Sequence, residues 1–192
     1  FCGQGPQWFA MARDLLAGDA LFRDVVTRVS AVVQRVAGWD LMQELARDES
    51  TTRIHETEIT QPAMFAVQMG LVAVWRARGV EPDFVIGHSM GEIAAACAAG
   101  AIDLEEGARI AILRGQAVKQ AEGLGGMIAF PISAVQAAEF LTGLEDRVGI
   151  AAINAPSSVV LAGDAASLAS IAARVTALGL EGRTLEVRYA SH

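Results

Sequence analysis

The segment from Gly87 to Gly91 reads GHSMG and places Ser89 between two glycines in the GxSxG pattern. The apolar run from Phe84 to Ile86 precedes it and an alanine-rich run follows, which predicts a buried strand, a sharp turn and a helix. Such a turn strains the serine backbone and projects the hydroxyl into solvent, where N–H groups at the helix N-terminus can stabilise negative charge. We therefore expect Ser89 to be a nucleophile, with the backbone N–H of Met90 as an oxyanion donor. In the alternative interpretation, Ser89 only caps the helix.

A serine hydroxyl needs a general base, and the sequence contains three histidines, His55, His88 and His192. His88 is adjacent to Ser89 on a tight turn, so its ring is expected to point away and to have a structural role. His55 lies in a polar stretch, which is typical of a solvated loop. His192 follows a predicted strand, where an open α/β sheet places its catalytic loops. Spacing alone does not select His192, since any late histidine would fit.

The composition limits the classes of ligand. The chain has 192 residues, of which 53% are hydrophobic, and a formal net charge of -7 with only 15 basic residues, so we expect no nucleic-acid and no membrane partner. Cys2 and Cys97 form neither a CxxC pair nor a cluster with histidine, which predicts no disulfide framework and no metal site and favours the reducing cytoplasm. The apolar stretch from Ile93 to Ile102 is shorter than the roughly 20 residues of a membrane-spanning helix.

The elements before residue 125 read as one α/β subdomain. Pro62 is suited to the first turn of a helix that ends at Gly79. Apolar residues at helical spacing predict helices over Trp8 to Ala17, Leu21 to Val36, Trp39 to Arg47, Ala63 to Arg78, Glu92 to Ala99 and Leu104 to Glu122.

The pattern changes after the glycines at 123, 125 and 126, where the order β-α-β-β-α-β indicates a ferredoxin-like insertion. We therefore predict an α/β fold in which a hydrolase-like large subdomain (1–125) is interrupted by a ferredoxin-like small subdomain (126–188) and resumes at 189–192. The chain reads as a fragment in which the C-terminal part of the large subdomain is absent. The predicted elements of the insertion are Met127 to Phe130 (strand), Ser133 to Leu141 (helix), Val148 to Asn154 (strand), Ser158 to Ala162 (strand), Ala166 to Leu178 (helix) and Gly182 to Val187 (strand), with a turn at 154–157.

Four motifs together resemble one family, the acyl-CoA:acyl carrier protein transacylases, and within it the acyltransferase domains of modular type I polyketide synthases. Residues 1–8 resemble that family's FxGQGxQW, 60–63 its TQPA, 87–92 its GHSxGE and 189–192 its YASH. The resemblance runs the length of the chain. It implies that Ser89 is acylated, that His192 is its base, and that Gln4 supplies a second oxyanion donor through its backbone N–H.

The resemblance also implies how the substrate is held. The family carries an arginine 25 residues after the serine, and here that residue is Arg114. Its planar guanidinium can pair in a bidentate manner with the distal carboxylate of a malonyl-type substrate. Helical geometry places Arg114 at the edge of the buried face and points Arg109 into solvent. The resemblance further implies that Gln61 lines the same pocket.

In the reaction that the family performs, an acyl group passes from CoA to the serine and then to the phosphopantetheine thiol of an acyl carrier protein. The implied partners are acyl-CoA, an acyl carrier protein domain and other polyketide synthase domains of the same chain, and no cofactor is expected to be bound. The sequence offers no obvious acidic third member for Ser89 and His192. The family works with a Ser-His pair oriented by main-chain carbonyl groups.

The resemblance also bears on which acyl unit the protein selects. The family implies that His88, Tyr189 and Ser191 line the substrate site, and its YASH motif accompanies methylmalonyl selection, with malonyl as the alternative. Met90 departs from the glutamine that often follows the serine in methylmalonyl domains. Two other functions remain open: an α/β-hydrolase such as a thioesterase, which shares the elbow but has no use for Arg114, and a non-catalytic structural remnant.

Overall fold

The structure is a computed structural model that describes residues 1–185, 187 and 189–192. The chain divides into two compact units, Phe1–Lys119 and Gln120–His192. The finer division at residues 125 and 188 stays a prediction. Among the described residues, no helix combines the length and the apolar character needed to cross a membrane.

The first unit consists of helices and irregular segments. Its longest helix, α4, buries residues along most of its length, including Phe65 and Ala66, and packs against α2. Close packing is possible because residue 70 of α4 is a glycine: a Cβ there would lie 2.5 Å from the Phe22 ring of α2. The helices are α1 (Arg13–Gly18), α2 (Ala20–Ala37), α3 (Leu41–Leu45), α4 (Thr57–Ala77), α5 (Gly91–Ala98) and α6 (Leu104–Gln120).

Local signals explain most helix ends in this unit. Asp19 caps α2 by accepting a hydrogen bond from the Phe22 N–H at 3.0 Å, and Gly38 ends it in the left-handed region with φ 76°. Gly79, with φ 80°, follows the end of α4. The predictions for α2, α5 and α6 are confirmed to within two residues at each end.

Two predicted helix starts are wrong. The first helix begins at Arg13 and not at Trp8, because Ala10 has φ 64°, a left-handed conformation that a continuous helix cannot contain. Helix α4 begins at Thr57, which puts Pro62 inside the helix and not in its first turn. The Thr60 hydroxyl hydrogen-bonds the carbonyl groups of Ile54 (2.6 Å) and Glu56 (3.0 Å) and so stabilises the earlier start.

The predicted buried strand from Phe84 to Ile86 is also wrong. The structure, which describes all of residues 80–90, assigns no strand there, and the side chains of Phe84 and Ile86 are 89% and 81% exposed. Backbone pairing at this segment involves residue 1: the Phe1 nitrogen donates to the Ile86 carbonyl at 2.6 Å, and the His88 N–H donates to the Phe1 carbonyl at 2.9 Å. An apolar run indicates a preference for burial. It does not show which other segment would pair with it and bury it.

The second unit has the predicted order of elements, β-α-β-β-α-β. Its sheet order is β2-β3-β1-β4, and each pair is antiparallel. In the described residues β4 is shorter than predicted, and residues 186 and 188 of the predicted strand and boundary lie outside the description. The elements are β1 (Gly126–Phe130), α7 (Ala134–Leu141), β2 (Val148–Ala155), β3 (Ser158–Gly163), α8 (Ala165–Thr176) and β4 (Arg183–Thr184).

A separate core holds the second unit together. Phe130 and Leu161 from the sheet pack with Ala137 of α7 and Ile171 of α8, all at most 1% exposed. Ser133 starts α7 with a reciprocal capping box, in which its hydroxyl accepts from the Gln136 N–H and the Gln136 side chain accepts from the Ser133 N–H. The helices are therefore fixed on one face of the sheet by burial and by their caps.

Candidate active site

Ser89 lies on a strained turn, as the GxSxG pattern predicts. Its φ is 53°, in the left-handed region that few residues other than glycine adopt. The flanking glycines are required by close contacts: a Cβ at Gly91 would lie 2.7 Å from the Cys2 carbonyl oxygen, and one at Gly87 would lie 2.6 Å from the Gly91 carbonyl carbon. The turn is thus held between its own helix and the first residues of the chain, and its strain is maintained by packing.

Helix α5 begins directly after the serine. The Glu92 N–H donates to the Ser89 carbonyl at 3.1 Å, and the Ile93 N–H donates to the Met90 carbonyl at 3.2 Å. The Met90 side chain is fully buried, which anchors the backbone at the helix N-terminus. Met90 thus lies at the N-terminus of α5 next to Ser89, and its role as an oxyanion donor stays a prediction.

The segment from Gly3 to Gly5 lies beside this turn. A Cβ at Gly3 would lie 2.9 Å from the His88 carbonyl oxygen and 3.3 Å from Ser89 Cβ, so the two backbones nearly touch. The Gln4 side chain is half-buried and donates to Thr57 Oγ1 at 3.2 Å. Gln4 is therefore close to Ser89 through its neighbour Gly3 and is attached to the first turn of α4.

Arg114 joins Ser89 to α4. Its Nη2 donates to Ser89 Oγ at 3.2 Å, and its Nη1 donates to Gln61 Oε1 at 2.9 Å. Gln61 is 1% exposed, so this acceptor is fixed in the interior. Arg109 is exposed and paired with Glu106 at 2.8 Å, as the helical geometry predicts.

The histidines take different positions. His55 and His88 are exposed, and His88 contacts the turn through its main chain, where its carbonyl accepts from the Gly91 N–H at 2.9 Å. His192 belongs to the second unit, is exposed and has φ 69°. In that unit Tyr189 is 8% exposed, and the Ser191 hydroxyl contacts Met127 Sδ at 3.3 Å. The pairing of Ser89 with His192 stays a prediction.

Sequence reasoning missed the role of the first turn of α4. Thr57 contacts Gln4, and Glu58 pairs with Lys119 of α6, although in each case the partners are more than 50 residues apart in sequence. One signal was available: Thr57 precedes Gln61 of the TQPA motif by one helical turn, so the two side chains share a face. That spacing has meaning only once the helix is known to start at Thr57.

Comparison with known proteins gives a consistent result. The family described as the acyl transferase domain matches residues 1–192. The spectinabilin polyketide synthase system protein NorC of Streptomyces orinoci is 42% identical over 193 residues, which cover 100% of this chain and 8% of NorC.

Two solved structures extend the comparison. The acyltransferase domain from module 8 of the salinomycin polyketide synthase has a TM-score of 0.93 and 36% identity, covering 100% of this chain and 45% of that one. The malonyl CoA-acyl carrier protein transacylase from Clostridium perfringens has a TM-score of 0.88 and 26% identity, covering 99% of this chain and 60% of that one. The chain thus spans less than a tenth of the curated relative and less than half of the salinomycin domain.

Proposed function

The chain belongs to the acyl transferase domain family, and from that membership we propose that it transfers an α-carboxyacyl unit from CoA to Ser89 and then to the phosphopantetheine thiol of an acyl carrier protein. The observation that carries the proposal is the contact of Arg114 with Ser89 Oγ at 3.2 Å. In a malonyl-type group bonded to that oxygen, a single carbon atom separates the free carboxylate from the ester carbonyl. The guanidinium is therefore close enough to pair with the carboxylate while the ester forms.

Gln61 supports this role for Arg114. It accepts from Nη1 at 2.9 Å, which orients the planar guanidinium and leaves its Nη2 edge directed at Ser89. A surface ion pair, which would be the purely structural role of a helical arginine, describes Arg109 better, since that residue is exposed and bound to Glu106. A carboxylate-binding arginine also favours this reading over a thioesterase, which has no use for a group that retains a distal acid.

The chemistry assigns one role to each remaining residue. His192 removes the proton of Ser89 as the hydroxyl attacks the thioester, and it returns that proton to the CoA sulfur as the C–S bond breaks and CoA leaves as the thiol. The backbone N–H groups of Met90 and Gln4 stabilise the oxyanion. In the second half-reaction the carrier thiol attacks the acyl-serine ester with His192 as base, and the Ser89 hydroxyl is regenerated. The strained turn and the adjacent Gly3 support the placement of both donors.

The favoured substrate is methylmalonyl, with malonyl next. Ser191 in the YASH motif leaves more room beside the acyl group than a phenylalanine would, although one methyl group contributes only about 1–3 kcal/mol to discrimination. His88 and Tyr189 complete the proposed substrate site. The printed names of NorC and the salinomycin domain support a place in polyketide biosynthesis, with the carrier protein and other synthase domains as partners.

The finer fold assignment belongs to the same proposal. The antiparallel order β2-β3-β1-β4 supports a ferredoxin-like small subdomain, and the Ser89 turn before α5 supports a hydrolase-like large subdomain. The proposed boundaries remain 1–125, 126–188 and 189–192.

Mass spectrometry of the acyl-enzyme tests the function. A polypeptide that contains residues 1–192 is incubated with labelled methylmalonyl-, malonyl- and acetyl-CoA, digested, and mapped for the acylated residue. We expect carboxylated label on Ser89, no label in Ser89→Ala, and normal labelling in Ser157→Ala, which changes an exposed turn serine. Equal labelling by acetyl-CoA would remove the role of Arg114, and label on a residue other than Ser89 would overturn the mechanism.

A further inference from the structure

The first turn of α4 contacts both sides of the proposed site. Thr57 Oγ1 accepts from the Gln4 side chain at 3.2 Å, and Gln61 Oε1 accepts from Arg114 at 2.9 Å. The two residues are one helical turn apart and lie on the same face. One end of the turn therefore contacts the segment that carries a proposed oxyanion donor, and the other end contacts the proposed carboxylate ligand.

This turn is itself firmly placed. Helix α6 packs closely against it, because a Cβ at Gly115 would lie 3.1 Å from Glu58 Cα and 3.2 Å from the Thr57 carbonyl oxygen. Glu58 also pairs with Lys119 of α6. Just before the turn, the Arg53 guanidinium hydrogen-bonds Glu56 and lowers the pKa of that carboxyl group. A group attached to this turn is thus attached to a fixed part of the unit.

The segment that Thr57 contacts has no regular secondary structure, although Gly3 packs against the Ser89 turn and the Gly5 N–H donates to Gln7 Oε1 at 2.7 Å. Residues 3–5 lie outside any helix or strand, Gln4 is only half-buried, and Gly5 has φ 138°. An oxyanion donor is effective only when its N–H already points at the reacting oxygen, because reorienting it during the reaction costs free energy. A side-chain contact to a fixed helix restricts the motion of this segment.

We propose that Thr57 is a positioning residue, which holds the Gln4 segment beside Ser89 through the hydrogen bond that its hydroxyl accepts from the Gln4 amide. This inference rests on the proposed function, since it concerns the oxyanion side of the same site. Thr57 acts on the thioester carbonyl, which every substrate has, whereas Gln61 acts through Arg114 on the distal carboxylate, which only some substrates have. The two residues of one helical turn therefore influence different parts of the substrate.

The test compares Thr57→Val with Thr57→Ser and with a matched control, Thr27→Val. Thr27 is an exposed helical threonine of α2 whose hydroxyl donates to the Arg23 carbonyl at 2.8 Å. We expect Thr57→Val to lower kcat for Ser89 acylation about tenfold with malonyl- and acetyl-CoA alike, less than the 10²–10³-fold or so for loss of an oxyanion donor. KM should change little, and Thr57→Ser and Thr27→Val should retain normal kcat.

A second readout does not depend on activity. Hydrogen exchange at the amides of residues 3–5 should accelerate in Thr57→Val, while exchange within α5 stays unchanged. If Thr57→Val does not fold, Gln4→Leu removes the same hydrogen bond from its other end and should give the same kinetic and exchange changes.

Three outcomes would overturn the proposal: unchanged kcat and exchange in a folded Thr57→Val protein, a loss confined to carboxylated thioesters, or an equal loss in Thr27→Val. These outcomes are distinct from failure of the proposed function. In that case the unsubstituted protein itself would form no acyl-Ser89, and the exchange measurement alone would decide the role of Thr57.

Discussion

Ser89 has a strained backbone conformation, and its side chain contacts Arg114. Backbone packing maintains the strain, whereas the contact depends on a residue of another helix. A non-glycine residue at φ 53° costs about 1–3 kcal/mol, and the contacts of Gly87 and Gly91 with adjacent backbone maintain it. The contact with Arg114 adds a cation next to the hydroxyl oxygen. At the scale of single residues, the site is thus a half-buried serine held in a strained turn with a positive charge beside its hydroxyl.

Arg114→Ala should separate carboxylated from uncarboxylated substrates. We expect kcat/KM for methylmalonyl and malonyl loading to fall about 10- to 100-fold, because a hydrogen bond to a charged group contributes about 1.5–3 kcal/mol and each 1.4 kcal/mol is a factor of ten. Acetyl loading should be spared or improved, since acetyl-CoA has no distal carboxylate. Quenched acylation assays with each thioester measure kcat/KM for the carboxylated substrates and for acetyl-CoA.

Arg109→Ala is the matched control on the same helix. Arg109 is exposed and pairs with Glu106, so its loss should leave all three loading rates unchanged. The substitution of Arg114 also removes the donor to buried Gln61, and acetyl loading serves as the internal check that the site still folds. Equal losses for acetyl and carboxylated units in Arg114→Ala would make the arginine structural.

The elements differ in how far the sequence predicts them. The second unit follows its pattern closely, because the short, largely apolar runs of β1, β2 and β3 and the capping box at Ser133 are local signals. Pro62 was misplaced because the start of α4 depends on the Thr60 hydroxyl and its contacts with residues that precede the helix. The Phe84 to Ile86 run failed because strand formation depends on a partner, which no local pattern reveals.

In the candidate site, too, some residues can be predicted from the sequence and others cannot. Ser89, Arg114 and Gln61 could be identified because each sits in a motif or at a helical edge, and the structure brings these three together. Thr57 could not be identified, since its contact with Gln4 joins segments 53 residues apart and appears only when α4 is built from its true start. The sequence thus predicts the residues proposed to contact the substrate. The residues that position them, such as Thr57, are identified only from the folded structure.

Gly91→Ala tests the packing between the turn and the first residues of the chain. The added Cβ would lie 2.7 Å from the Cys2 carbonyl oxygen and even closer to the Phe1 carbonyl, and backbone atoms cannot rotate away as a side chain can. We expect the free energy of unfolding to fall by about 1–3 kcal/mol, as overpacking does elsewhere. Chemical denaturation followed by circular dichroism measures the loss.

Gly18→Ala provides the control for that substitution. Gly18 is also helical, at the end of α1, and a Cβ there would meet no atom within 4 Å. Its replacement should be neutral or stabilising by up to about 1 kcal/mol, because alanine loses less backbone entropy in a helix. A Gly91→Ala protein as stable as Gly18→Ala would contradict the close approach of the chain start to α5.

At the scale of the whole molecule, the first unit carries an apolar cleft in addition to its hydrophobic core. The cleft has a volume of about 660 Å³ and is lined by residues that include Phe1, Trp75, Phe84 and Ile86. Trp75 is 52% exposed, so the cleft presents aromatic as well as aliphatic surface to solvent. Contiguous apolar surface of this kind promotes association, and the net charge of -7 opposes it at neutral pH.

In a polypeptide of residues 1–192, replacing the two most exposed apolar side chains of this cleft should therefore improve solubility without reducing stability. In a Phe84→Ser, Ile86→Thr protein we expect lower fluorescence of a bound hydrophobic dye and weaker light scattering, most clearly near pH 4.9, where the sequence predicts no net charge to oppose association. The free energy of unfolding should change by less than about 0.5 kcal/mol, because side chains this exposed contribute little to the core. Leu124→Ser is the control, since Leu124 is 74% exposed but does not line the cleft. An equal drop in dye binding in the control would show that exposure in general, and not this cleft, drives the association.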